Sequence, residues 1–392
     1  MGPVVPEGRV VGLDVARCVA LLGMIATHVL PAADENGVTL SQQVAGGRAS
    51  ALFAVLAGVS LALMSGAASP VRGDERRAVT AGLAVRAALI AAIGLFLGAL
   101  PTTILVILTY YGVLFLLGLP FLGLRAPALA VLGVAWLLVA PVVSHVLRPH
   151  LPLAPVANPT LTSLGHPWRL LTELTFTGTY PAVTWLAYLF VGMAIGRTDL
   201  RRWRTAIVIL VCGVAVAVLA WWLSRVLLER PGVMGRLEAT YTGSDDLQHT
   251  LEHGMFGSTP TGSWWWLAVE TPHTGTPFDL AHTIGCALAA TGIALVLGRV
   301  FPDVAAVVFG AGAMTLSLYS LHVVLRTPPI LPDDDAVTFA QHVAVVLLAG
   351  AAYRMARRSG PFERFVTTAA NATRDAVRRQ RATPTHRPSG GR

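Results

Sequence analysis

The chain is poor in charged residues and contains no lysine at all. Charged side chains make up 13% of its 392 residues, compared with about 25% in soluble proteins. Hydrophobic residues make up 54%, and the mean hydropathy is +0.63. Apolar runs of about 20 residues recur along the chain, and no stretch between them is long enough for a soluble core. The sequence therefore predicts one all-α integral membrane domain.

Cysteine is also scarce, which argues against a disulfide framework or a cysteine metal site. The three cysteines, Cys18, Cys212 and Cys286, all lie in apolar runs without metal-ligand spacing. We expect them to be small buried hydrophobic residues. The net charge of +8 comes entirely from arginine, which clusters in short turns and at the C-terminus. That pattern is typical of cytoplasmic membrane flanks and predicts no nucleic-acid partner.

The hydropathy pattern predicts a polytopic bundle of about ten transmembrane helices. The predicted spans are 11–30, 49–68, 79–100, 103–122, 127–147, 180–197, 205–227, 278–299, 304–325 and 336–356.

Charge in the turns predicts the orientation of the bundle. With the N-terminus inside, the arginine-rich turns near residues 72–77 and 197–204 and the C-terminal segment all face the cytoplasm. Both termini are then cytoplasmic, and the first helix is expected to be retained rather than cleaved as a signal peptide. We expect a multi-pass protein of the cell (plasma) membrane, with a transmembrane domain over 1–357. Residues 358–392 are predicted to be a basic cytoplasmic tail, partly a membrane-surface helix and partly disordered.

The first predicted helix carries three polar residues along one face. Asp14 and Arg17 lie near its start and His28 near its end, 14 residues beyond Asp14, which corresponds to about 21 Å of helix. The azimuths of Asp14 and His28 differ by about 40°. Ionisable groups at membrane depth are costly, so the column indicates a function. A structural ion pair between Asp14 and Arg17, and a buried structural imidazole, are the alternatives.

Histidines lie within or at the ends of several predicted spans. They are His28, His282, His322 and His342. We expect at least two of them to line one polar cavity open to the outside. Imidazole near neutral pH suits general-base or acyl-transfer chemistry. No HxxxH or HExxH spacing occurs in the spans, so no metal site is predicted.

Two long loops are predicted on the outer side, at 148–179 and 228–277. The second contains three consecutive tryptophans, at positions 264–266. They are interpreted either as an interfacial anchor or loop core, or as a platform on which a sugar ring stacks.

The first helix also carries a recognisable motif. Leu13-Asp14-x-x-Arg17, followed by His28, resembles the opening helix of the transmembrane acyltransferase superfamily, as in acyltransferase-3 proteins. Further segments are similar to bacterial members of the heparan-α-glucosaminide N-acetyltransferase-like group, with its DUF1624 and DUF418 relatives. Those segments are Gly47–Gly58, Tyr110–Gly112, Val191–Arg197, Pro272–Thr276 and Ala313–His322.

The resemblance implies a transferase that moves an acyl group, acetyl in the first instance, from cytoplasmic acyl-CoA to an extracytoplasmic acceptor. The motif carries over Asp14, Arg17 and His28, with His28 as general base or acyl carrier and Asp14 as its catalytic companion. Acyl-CoA is expected as a co-substrate, with no tightly bound cofactor. The predicted acceptor is a glycan or glycolipid, and O- and N-transfer both stay open.

Other candidate site residues follow from position and polarity. Arg9, Arg17 and Arg86 are candidates for the coenzyme A phosphates, because guanidinium groups bind phosphate well. The candidate acceptor-binding residues are Arg48, Ser50, His273 and His322. Membrane lipid is an expected partner, and both a monomer and a homodimer stay open.

Two other functions remain as alternatives. One is a transporter or flippase that uses the Asp14, Arg17 and His28 column as a relay. The other is a non-catalytic membrane scaffold, which accounts for the arginine flanks but not for the histidines at membrane depth.

Overall fold

The computed structural model describes residues 8–35, 37–243, 245–328 and 330–382. Within these ranges the chain is almost entirely helical, with a short β-ribbon of β1 (Ala33–Asp34) and β2 (Gly37–Val38). The helices are α1 (Val11–Val29), α2 (Leu40–Ala45), α3 (Arg48–Met64), α4 (Gly73–Gly98), α5 (Leu108–Gly118), α6 (Ala126–Leu147), α7 (Pro167–Thr172), α8 (Ala182–Gly196), α9 (Trp203–Leu228), α10 (Val233–Glu238), α11 (Leu247–His253), α12 (Pro277–Val300), α13 (Pro302–Val308), α14 (Thr315–Leu325), α15 (Ala336–Met355) and α16 (Pro361–Ala382).

The prediction of a helical multi-pass membrane protein is confirmed. In the described ranges seven helices are long and apolar enough to cross a membrane. They are α1, α2 with α3, α4, α6, α9, α12 and α15. An eighth candidate is the bent pair Pro167–Thr177 and Ala182–Gly196, whose halves meet at 54°. Two of the ten predicted spans, at 103–122 and 304–325, coincide with shorter apolar helices, Leu108–Gly123 and Thr315–Leu325.

The predicted span 304–325 is broken in the middle. Helix α13 ends at Val308, a 3-10 turn covers Gly310–Ala313, and α14 begins at Thr315. The break has a packing cause, since a Cβ on Gly312 would collide with the backbone carbonyl of Asp14 in α1. Glycine is also a poor helix former. The turn is therefore pressed directly against the first helix.

Helix α1 lies at the centre of the bundle. It packs against α3, α12 and the 310–313 turn, and most of its side chains are buried. A transmembrane helix can carry polar groups where its neighbours enclose them in protein rather than lipid. The fold thus holds the Asp14, Arg17 and His28 column in the protein interior.

The tryptophan run belongs to a small core of its own above the bundle. Trp266 is fully buried among Leu237, Leu247, Met255 and Val269. Its indole Nε1 donates to Thr240 Oγ1 at 2.9 Å. Of the two interpretations, loop core therefore describes Trp266, whereas neighbouring Trp264 is 60% exposed. Among the cysteines, Cys18 is buried as predicted, but Cys212 is exposed on the surface of α9.

Helix α16 packs alongside α4 instead of standing apart from the bundle. Arg374 and Arg378 both bond to Glu75, near the start of α4. The Glu363 carboxylate accepts from the backbone N–H groups of Leu316 and Ser317 at 2.7 and 3.1 Å. It thereby caps the N-terminus of α14. The last part of the tail, for which disorder is predicted, lies outside the described residues.

Candidate functional site

Three histidines meet at one end of α1. The Nδ1 atom of His28 lies 3.2 Å from Nε2 of His322, and the two rings stack at 5.4 Å. The ring of His342 stands edge-on to His322 at 5.0 Å, and its Nδ1 is 2.8 Å from the Thr338 carbonyl. Three different helices, α1, α14 and α15, supply these imidazoles. Of the four histidines expected to share one cavity, His322 and His342 lie beside His28, but only His28 lines the cavity itself, so that expectation is wrong; His282 belongs to a separate cluster.

His28 lines a small cavity of about 30 Å³. His273 and Ser50 line the same cavity, together with Tyr180, Tyr319 and backbone of the Gly47 turn. His273 comes from the loop before α12, and Gly47 packs directly on it. Two of the candidate acceptor residues therefore face His28, while His322 touches it from behind.

Asp14 lies at the opposite end of α1 in an ion-pair network. Arg9 donates to both carboxylate oxygens, at 2.6 and 3.0 Å. Arg17 approaches Asp14 at 3.4 Å and donates to Ser60 Oγ at 2.8 Å. The structural ion-pair interpretation of Asp14 and Arg17 describes this geometry. Asp14 does not line the cavity of His28 among the described residues.

A second cavity of about 330 Å³ runs from the arginine end toward the histidines. Arg17, Arg86 and Glu363 line one end of it. Tyr319 lines both this cavity and the cavity of His28. Tyr111 lines the larger cavity, and Ser50 lines the smaller one. The Tyr111 hydroxyl donates to the backbone carbonyl of Ser50 at 2.9 Å. The two cavities are thus neighbours that share a wall.

Arg9 is separated from the other two candidate phosphate ligands. It lines a third cavity, of about 450 Å³, on the other side of the 310–313 turn. Arg354, Arg357 and Arg358 line that cavity as well. Arg9, Arg17 and Arg86 therefore do not form a single phosphate cradle.

Arg48 turns away from the cavity of His28. Its Nε donates to His282 Nε2 at 3.2 Å, and Glu270 lies 3.5 Å from the same nitrogen. Cys286 Sγ also approaches His282, at 3.5 Å. Burial raises the pKa of the Glu270 carboxyl, although Arg48 acts in the opposite direction. Arg48 and His282 thus form a separate polar cluster beside the cavity.

The environment of His273 keeps its imidazole neutral. Burial lowers the pKa of His273 to about 4. The backbone of His273 has a φ of 61°, in the left-handed region that few non-glycine residues adopt. The carbonyl of His273 accepts from the Gly257 N–H at 2.7 Å and its ring contacts Tyr180 edge-on at 5.8 Å. A strained, enclosed residue at a cavity wall is typical of a functional site.

Sequence reasoning missed several residues that line these cavities. Tyr111 and Tyr319 stand within motifs that carried the family resemblance, but nothing assigned them a position. Glu363 lies in the segment predicted to be a polar tail, and Ser60 is a small residue within a predicted helix, so neither is distinguished by its sequence context. The available signal was the motif itself, in which a tyrosine interrupts an otherwise aliphatic span.

No group of three or more His, Cys, Asp or Glu residues that could hold a metal ion occurs in the part of the chain that the structure describes.

The bundle encloses a histidine-bearing cavity next to an arginine-lined one, and a membrane-embedded enzyme needs such a base and such an anion-binding group within one membrane domain. The family model for heparan-alpha-glucosaminide N-acetyltransferase, catalytic, matches residues 9–228. The match covers more than half of the chain, so the protein belongs to this family of membrane acetyltransferases. The matched range includes Asp14, Arg17, His28, Arg48, Ser50 and Arg86. No curated protein matches the chain significantly.

Proposed function

We propose that the protein transfers an acyl group, most simply acetyl, from acyl-CoA on the cytoplasmic side to an acceptor on the extracytoplasmic side of the cell membrane. The observation that carries this proposal is the pair of neighbouring cavities. One begins at Arg17 and Arg86, the other ends at His28, and Tyr319 lines both. Arg17 and His28 are 11 residues apart, or about 16 Å along α1.

In this proposal Arg17 and Arg86 hold the phosphate end of the donor. Guanidinium groups are well suited to bind phosphate, and both side chains line the 330 Å³ cavity. The extended arm of the donor then follows the cavity wall formed by Leu56, Ala57 and Tyr111 toward Tyr319. Its thioester comes next to the cavity of His28.

His28 is the proposed general base. It removes a proton from an acceptor hydroxyl or amine, whose oxygen or nitrogen forms a bond to the thioester carbonyl carbon. The carbon–sulfur bond breaks, and the coenzyme A thiolate leaves and takes the proton back from the imidazolium. If His28 instead carries the acyl group, its ring nitrogen first bonds to the thioester carbonyl carbon, the carbon–sulfur bond breaks, and the thiolate takes the proton of the other ring nitrogen. The acceptor oxygen or nitrogen then bonds to that carbon as the carbon–imidazole bond breaks, and the acceptor proton returns to the ring. His322, 3.2 Å from Nδ1 of His28, orients the ring so that Nε2 faces the reactants.

The acceptor enters from the side of the His273 loop. His273 and Ser50 on the cavity wall are its proposed contacts. Arg48, with His282 and Glu270, offers a polar rim beside them. Such a rim suits a hydroxyl-rich or amino-bearing glycan or glycolipid, by hydrogen bonds that the polar side chains donate and accept.

A donor assay with the purified protein tests the proposal. Acetyl-CoA and glucosamine are supplied, and release of the free coenzyme A thiol is followed. The wild type is expected to release thiol, and His28→Ala to lose at least about a hundredfold in rate, because a positioned base contributes about 10² to 10⁴. His150→Ala, an exposed histidine that lines neither of the two neighbouring cavities, serves as the matched control. Thiol release that survives His28→Ala would contradict the mechanism.

One observation favours transport as a second function. The break between α13 and α14 puts a helix N-terminus inside the bundle, next to the 330 Å³ cavity, where an anionic substrate would take the place of the Glu363 carboxylate that caps it. Broken helices of this kind are used by secondary transporters to bind anionic substrates. Uptake of intact radiolabelled acetyl-CoA or acetate into proteoliposomes, without transfer of the acetyl group, would favour this function over acyl transfer.

A further inference from the structure

No chemical step of the proposed reaction takes place at the cavity lined by Arg9. It has a volume of about 450 Å³, within the range of about 300–1,000 Å³ typical of small-molecule sites. Its floor is the 3-10 turn at Gly310–Ala313, and its wall is the end of α15 with the residues that follow. The arginine-lined end of the second cavity lies across this turn, and Ala313 lines both.

The charge in this cavity is strongly one-sided. Four of the ten described residues that line it are arginines, Arg9, Arg354, Arg357 and Arg358, and none of the ten is acidic. Asp14 neutralises part of this charge from outside the lining, through its two bonds with Arg9. Because like charges repel in a partly enclosed space, such an arrangement favours a bound anion.

Arg354 is the buried one of the four arginines that line this cavity. It is only 9% exposed. Its Nε and Nη2 have no hydrogen-bond partner within the part of the chain that the structure describes. Buried polar groups are normally paired, and an unpaired buried charge is costly. Gly310, whose Cβ would lie 3.1 Å from that of Arg354, lets the turn approach the arginine closely.

The geometry points to a binding site for a phosphate monoester at Arg9, Arg354 and Arg358. Guanidinium forks match the oxygens of a phosphate group and remain charged at any physiological pH. The Tyr353 and Ser359 hydroxyls on the lining add donors and acceptors of neutral charge. The ligand carries its phosphate into the cavity and its remaining bulk toward the opening.

Two sources supply this chemistry. One is a soluble nucleotide with a terminal phosphate monoester, which includes the ribose phosphate of the donor and in that case rests on the proposed function. The other is a membrane lipid whose headgroup is a bare phosphate. Adenosine 3′,5′-bisphosphate represents the first source, and dioctanoyl phosphatidic acid represents the second.

The test measures the affinity of the purified full-length protein for each probe, by isothermal titration calorimetry or thermophoresis. Arg354→Gln is expected to weaken binding of the probe at least about tenfold, as the loss of a charge-assisted hydrogen bond does. Arg354→Lys keeps the charge but not the fork and should recover only part of the affinity. Arg364→Gln, exposed on α16, is the matched control and should change binding less than about twofold.

The outcomes separate cleanly. Binding of either probe that depends on Arg354 but not on Arg364 supports the site, and the probe that binds identifies the source. Absence of binding by both probes, or equal loss in the Arg354 and Arg364 variants, overturns it. Where Arg354→Gln does not elute as a folded protein, exposed Arg358→Gln is judged by the same criterion. Arg86→Gln, tested in parallel, loses thiol release but not lipid binding, so failure of the proposed reaction is distinguishable from failure of this site.

Discussion

At the scale of single residues, the proposed function depends on the histidines. His28 and His322 are 294 positions apart, yet their ring nitrogens lie 3.2 Å from each other. The sequence predicts that both lie at a similar depth in the membrane, because depth follows from position along an apolar span. It does not predict which helices are neighbours, and so it could not separate Arg48, which bonds to His282, from Ser50, which faces His28.

His273 gives a prediction about pH. The ordinary histidine pKa is about 6.5, and burial lowers that of His273 to about 4. Between these values the unfolded chain binds a proton that the folded protein does not, so stability is complete above about pH 6.5 and falls as the pH drops toward 4. The thermal unfolding midpoint in detergent should show this decline.

The matched variants for this experiment are His273→Gln and His166→Gln. The first removes the titrating group and should flatten part of the decline in the unfolding midpoint. The second changes an exposed histidine and should leave the curve as in the wild type. Curves for His273→Gln and the wild type that coincide over this pH range would show that His273 does not contribute.

At the scale of elements, hydropathy predicts most of the helices but not their continuity. The segments 11–30, 127–147 and 205–227 are long apolar runs, and each is a single helix in the structure. The segment 304–325 is also an apolar run but breaks at Gly310–Ala313, because the turn must fit against the Asp14 carbonyl. Hydropathy does not reveal a close contact between residues that are distant in sequence. The glycines are the only sign of this contact in the sequence.

Gly312 gives the prediction at this scale. Gly312→Ala puts a Cβ where the Asp14 carbonyl lies, so α1 or the turn must move. Overpacking of this kind costs about 1–3 kcal/mol, and a lower unfolding midpoint is expected. Gly235→Ala is the control, since a Cβ there has open space within 4 Å and lies in helix α10. Equal unfolding midpoints for the two variants would contradict the packing cause of the break.

At the scale of the whole molecule, the charge distribution sets the direction of the proposed reaction. Arg9 and Arg17 lie just before and in the first half of α1, Arg86 lines a cavity together with Arg17, and His28 lies at the other end of α1. Arginine-rich turns are typical of the cytoplasmic side. The donor is therefore expected to act from the cytoplasmic side and the acceptor from the opposite side, with α1 as the link between them.

The most direct measurement is acetyl transfer across the membrane of sealed proteoliposomes in which the protein has one orientation. Radiolabelled acetyl-CoA is supplied on the side of the C-terminal segment, and glucosamine is trapped on the other side. Labelled N-acetylglucosamine is expected on the trapped side for the wild type, and at least about a hundredfold less of it for His28→Ala. Label that forms only when donor and acceptor share one side, or that forms equally in His28→Ala, would contradict the account.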